Sequence, residues 1–182
     1  ANLVIIKTMQ ESFVEMLSVG GKSNSLGRAG EVIDIVLRDR SRLDELYQCL
    51  FDDDAWVRMR AADSLEKVCR IHPEWLTPYI DRLSRDFATS DQPSTQWHMA
   101  QIYGAVELTT AQREFAVRWL KKLLSSPSVD WIVATNSMIT LMQFTRESLF
   151  PKPEMIALLD IQQQHKSAAV VKRATKLRDE LL

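Results

Sequence analysis

The chain has 182 residues, of which 46% are hydrophobic and 26% charged, and its 23 basic and 24 acidic side chains leave a formal charge of -1. That balance excludes an overall field that would draw it to nucleic acid or to an anionic membrane, although a local patch could still do so. With only 5 Gly and 6 Pro the sequence is not low-complexity, and its length suffices for a core without disulfide or metal staples.

In chain order, the opening Ala1 to Gln10 holds a short apolar run followed by Lys7, with no basic segment before it and no small-residue cleavage site. It does not read as a signal peptide. No window approaches the roughly 18 apolar residues of a membrane span, so a soluble, cytoplasmic protein is expected. Gly20-Gly21 reads as a left-handed helix end, with Ser23 or Ser25 opening the next helix. The Gly21-Lys22-Ser23 echo of a phosphate-binding loop fails, because Met16 stands where the earlier glycine is required and no strand feeds the loop.

Helical periodicity continues through Leu43, Leu46, Tyr47 and Leu50, then breaks at Asp52-Asp53-Asp54. As a calcium loop this cluster fails, since Val57 falls at the sixth position and Asp63 at the twelfth. As a helix start it succeeds, with Asp54 able to accept from the first free N–H groups. Further breaks at His72-Pro73, Asp91-Gln92-Pro93, Thr109-Thr110, Ser126-Pro127-Ser128, Pro151-Lys152-Pro153 and Lys166-Ser167 divide the chain into about ten helices. Thr109 with Gln112 has capping-box spacing, Ser167 is a candidate cap, and Pro153 suits a first helical turn. Pro78 fits either a first turn or a bend.

No constellation for catalysis emerges. His72, His98 and His165 lack metal-ligand spacing, there is no Gly-x-Ser-x-Gly elbow, and Cys49 and Cys69 sit among apolar neighbours as buried, reduced thiols. Neither a metal nor a cofactor is expected. Of the five tryptophans, Trp119 falls on the apolar stripe of its helix and reads as core, whereas Trp56 and Trp97 open helices and could be partly exposed.

A small residue followed three places later by a larger one recurs at Gly30/Ile33, Ala62/Leu65, Ala100/Tyr103, Met138/Leu141 and Ala174/Leu177, at intervals of 32 to 38 residues. This period predicts helical hairpins spanning about 1–39, 40–72, 73–108, 109–146 and 147–182, stacked as one array. Within it, Leu46 to Phe51, Asp52 to Asp54, Val57-Arg58, Ala61-Ala62 and Leu65 resemble the HEAT repeat, and "WHMAQIYGAVELT" is similar to small bacterial HEAT-repeat proteins. The resemblance implies an all-α, right-handed α-solenoid of about five hairpins. It also implies that Asp54 and Arg58 form part of a ladder between repeats.

In such an array the second helices line a concave binding surface. The helix from Trp56 to Ile71 then presents Arg60, Asp63 and Lys67 opposite its Val57-Ala61-Leu65-Val68 stripe. Carried through the repeat register, the Arg60 position becomes Arg28, His98, Asn136 and Lys172, all of which can donate hydrogen bonds, and Gln101 matches Asp63. Two readings stay open: a solvated helix face, or a row that holds an extended partner rich in carboxylates, phosphates or backbone carbonyls. The expected function is a non-catalytic scaffold binding a peptide or protein, with reversal of charge at Arg28 or Arg60 leaving the fold intact. The resemblance also admits a nucleic-acid-binding protein of the HEAT-like DNA glycosylase type, or a tetrapyrrole lyase.

Overall fold

In the computed structural model, which describes residues 10–20 and 25–182, every regular element is helical. The chain divides into two compact units, residues 1–64 and 65–182.

In the first unit, α1 spans Phe13–Ser18 and opens with a capping box in which Ser12 and Glu15 satisfy one another's backbone N–H groups. Gly20 follows it at φ 98°, a left-handed conformation that ends the helix at no steric cost. Gly21, Lys22 and Ser23 lie outside the described residues. Ser25 does not cap α2 (Ala29–Arg38); its Oγ instead accepts from the Gly27 N–H at 3.2 Å, and Arg28 occupies the cap position without a side-chain bond. A 3-10 turn (Arg40–Arg42), α3 (Leu43–Gln48) and a second 3-10 turn (Cys49–Phe51) form the next helical stretch. The Asp52–Asp54 turn then leads into α4 (Ala55–Ile71), which crosses from the first unit into the second.

Asp54 does what its position predicted, with Oδ1 accepting the Trp56 N–H at 2.8 Å. Arg58 Nη1 donates to the carbonyls of Asp52 and Asp53 at 2.8 and 2.9 Å, tying the turn of its own repeat. Phe13, Leu17, Val32, Val36, Leu46 and Leu50 are buried in the core of this unit.

The second unit continues with α5 (Pro73–Leu76), a 3-10 turn (Thr77–Tyr79), α6 (Ile80–Arg82) and a π-helical turn (Leu83–Phe87). Pro78 takes the first of its two expected placements: it sits in the first turn of the 3-10 helix that starts at Thr77, where its missing N–H would have no partner within the turn. The remaining helices are α7 (Pro93–Ala105), α8 (Thr110–Leu124), α9 (Trp131–Arg146), α10 (Lys152–Gln162) and α11 (Ala168–Leu181). Thr109 and Gln112 form the expected capping box and Pro153 sits in the first turn of α10. Ser167 makes no side-chain cap; its N–H donates to His165 Nδ1 at 2.9 Å.

Within this unit α9 packs on both α7 and α11, while α8 packs on α10, giving two layers of second and first helices. The contact of α7 with α9 is intimate because Gly104 removes a side chain from it; a Cβ there would stand 3.1 Å from Thr140 Oγ1. Polar side chains fasten the same contact. Thr140 Oγ1 donates to the Ala100 carbonyl at 2.8 Å and Gln143 Nε2 to the Gly104 carbonyl at 3.1 Å.

Candidate interaction surfaces

The donor row does not form as expected. Arg60 is only 3% exposed. Its Nε, Nη1 and Nη2 donate to the carbonyls of Ser25, Leu17 and Gly20 at 2.9, 2.7 and 2.7 Å. The reason lies in the helix geometry: at 100° per residue Arg60 flanks the apolar stripe beside Val57 and Ser64 rather than opposing it. From that flank its side chain clasps the turn between α1 and α2. The guanidinium thereby satisfies carbonyl groups left free where α1 ends, and the partial negative charge of that end favours a cation.

Arg28, in the same unit, remains partly exposed, with its side chain 35% accessible, but it is engaged by two carboxylates. Nη1 and Nη2 donate to Glu11 at 2.6 and 2.9 Å, and Nε donates to Glu31. The guanidinium holds the Glu11 carboxyl below its ordinary range, and both partners push the Arg28 pKa further up. Asp63 is half-buried.

In the second unit His98 is also buried, at 6% exposure, because α7 is enclosed almost all round; its Nδ1 lies 2.9 Å from Gln101 Oε1. Asn136 is half-buried and donates to the Ile132 carbonyl of its own helix at 2.9 Å. Lys67 and Gln101 are half-buried, and Lys172 is exposed. The outward side of α9 carries two large apolar side chains that periodicity alone did not single out, Trp131 and Ile139, exposed by 51% and 41%.

Both cysteines are buried, and burial first, and neighbouring carboxylates second, push both thiols up to about 12, which disfavours the thiolate at neutral pH. Among the described residues no group of three or more His, Cys, Asp or Glu side chains is gathered for a metal, and no helix is long and apolar enough to cross a membrane.

Two open clefts lie along α8. One, of about 590 Å³, is lined by Ala88, Phe115, Trp119, Leu123 and Val129 with polar groups at its rim. The other, of about 520 Å³, is lined by Ser84, Arg85, Gln112 and Arg118 and shares Phe115 with the first. Trp119, expected in the core, is half-buried and forms part of the cleft wall. Its Nε1–H donates to the Ala88 carbonyl at 2.7 Å and its ring meets Tyr103 edge-on, with centroids 5.8 Å apart.

Comparison with known families places the HEAT repeat domain on residues 15–120, more than half of the chain. The chain belongs to the HEAT-repeat family. HEAT repeats commonly mediate protein interaction or scaffolding. No curated protein and no solved structure gives a significant match. In this HEAT chain the clefts went unread in the sequence, yet a signal was present: Phe115, Arg118, Trp119 and Lys122 fall at i, i+3, i+4 and i+7, an aromatic and cationic stripe on one helix face.

Proposed function

We propose that this HEAT-repeat chain is a non-catalytic scaffold that holds a protein partner on the outward face of its second helices, centred on α9. The observation that carries the reading is the exposure of Trp131 and Ile139 there. An exposed aromatic and an exposed aliphatic side chain on one helix face are the kind of anchors that a protein partner buries. Ile139 shares its repeat position with Gln101, and Asn136 shares its own with Lys172, so the register puts hydrogen-bonding residue types at the equivalent positions of the neighbouring second helices. Nucleic-acid binding draws less support, because Arg60 is spent on backbone carbonyls and Arg28 on carboxylates.

The test is an affinity pull-down from the native extract, split into nuclease-treated and untreated halves, with Ile139→Glu and Lys172→Glu chains alongside. A defined polypeptide recovered after nuclease, and lost with Ile139→Glu, is the expected result. Recovery that disappears with nuclease, or that ignores both substitutions, would overturn the reading.

A further inference from the structure

The two clefts along α8 share Phe115 in their walls and follow one another along the helix, from Gln112 at its start to Leu123 near its end, so that we treat them as one groove. At about 1.5 Å per residue that stretch of helix rises roughly 17 Å, the length of about five residues of extended chain. Its floor is prepared in advance. The indole N–H of Trp119 is held by the Ala88 carbonyl, which follows the π-helical turn, and its ring is held by Tyr103, whose hydroxyl is in turn 2.7 Å from Ser84 Oγ. A side chain entering between Phe115 and Trp119 would find an apolar seat that need not be ordered first.

The charges around this seat are uncommitted. Among the described residues Arg118, Lys122 and Asp91 have no ion-pair or hydrogen-bond partner for their side chains, although other exposed charges nearby do. Lys121 pairs with Glu154 at 2.5 Å and Arg85 with Asp86 at 2.8 Å. Arg118 and Lys122 are one helical turn apart on α8, so both cations line the same side of the groove. Asp91 approaches from the loop that joins the π-turn to α7.

We propose that this groove docks a short extended segment of a partner protein, bearing an aromatic or large aliphatic residue flanked by acidic ones. The apolar residue would sit on Phe115 and Trp119 while the carboxylates meet Arg118 and Lys122, which supply complementary charge. Asp91 and the Asp81 carboxylate within the groove oppose a continuous polyanion, which favours a peptide over a nucleic-acid strand. This site is separate from the α9 face and does not depend on it.

The experiment is selection of a random octapeptide phage library on the full chain. Fluorescence-anisotropy titration of the enriched peptides would follow, with fluorescein-labelled oligo-dT of twelve nucleotides as a second probe. Enriched peptides should place an aromatic or large aliphatic residue beside Asp or Glu. Their affinity should fall at least tenfold for the Arg118→Glu/Lys122→Glu chain, at unchanged circular dichroism, and stay within twofold for Ile139→Glu. Failure to enrich, enrichment of basic peptides, or binding indifferent to the Arg118/Lys122 change would overturn the proposal, as would displacement of the peptide by oligo-dT. Because Ile139→Glu is the control, loss of the α9 reading and loss of this one give different results.

Discussion

Each unit contains a turn between paired helices whose carbonyl groups face inward, and each ties that turn with side chains from a later repeat, by different chemistry. In the first unit a cation does it: Arg60 gathers the carbonyls of Leu17, Gly20 and Ser25. In the second, neutral groups do it: Gln162 Nε2 donates to Leu124 and Ser126 at 2.8 and 2.9 Å, and His165 Nε2 lies 2.6 Å from the Val129 carbonyl. Since His165 Nδ1 accepts from the Ser167 N–H, Nε2 must carry the proton, so the imidazole bonds as a neutral donor. The difference shows that a buried turn asks first for donors, which either a cation or neutral groups can supply. A charged side chain placed for that purpose is removed from the surface on which sequence reasoning puts it.

The largest expected effect comes from Arg60. Charge-assisted bonds contribute about 1.5–3 kcal/mol each before relaxation. Arg60→Met should therefore cost about 3 kcal/mol or more, and Arg60→Glu more still, because a carboxylate would face three carbonyl oxygens. Urea denaturation measures the loss. Wild-type midpoints for both variants would break the comparison and return Arg60 to the surface.

Gly27 sharpens the same turn from the backbone side. It lies at φ 51°, and a Cβ would come 2.5 Å from the Val19 carbonyl oxygen and 3.5 Å from Arg60 Cζ. Gly27→Ala should cost about 1–3 kcal/mol through backbone strain, with faster hydrogen exchange expected in α1 and α2.

The neutral clasp should yield a smaller loss. Gln162→Met keeps the volume but leaves two carbonyls without a donor, at a cost of about 1–3 kcal/mol. Hydrogen exchange should then quicken around residues 124–130, with α1 and α2 unaffected. A loss equal to that of Arg60→Met would mean that charge adds nothing to the clasp.

How far the sequence disclosed these features follows from the range of the interactions. The helices were legible because their signals are local. Thr109 and Gln112 are three residues apart, Asp54 caps a helix two residues on, and the apolar stripes repeat within each helix. The all-helical fold and the family followed from those signals and from the repeat of Ala62/Leu65 and its equivalents. Arg60, by contrast, bonds across 35 to 43 residues, and Gln162 across 36 to 38. Such bonds have no period, so Arg60 looked like any other exposed arginine. His98 was misplaced for a related reason: enclosure of α7 on nearly every side depends on its neighbours, which its own periodicity does not record. Trp119 lay at the opposite boundary, apolar by pattern yet forming a cleft wall.

The smallest expected effect comes from the first unit's other arginine in the row, and it separates charge from burial. Arg28 makes as many charged contacts as Arg60 makes carbonyl contacts, but in solvent, where side-chain entropy and screening offset much of the gain. Arg28→Glu should thus move the denaturation midpoint far less than Arg60→Met, and added salt should reduce what difference there is. The pH dependence has a definite sign. Because Arg28 lowers the folded-state pKa of Glu11, the pair stabilises the fold above the ordinary carboxylate range, and that contribution fades as pH falls through the lowered Glu11 value. Melting temperatures of wild type and Arg28→Met should differ at pH 7 and converge in acid. A gap that widened in acid would show that Glu11 is not the group through which Arg28 acts.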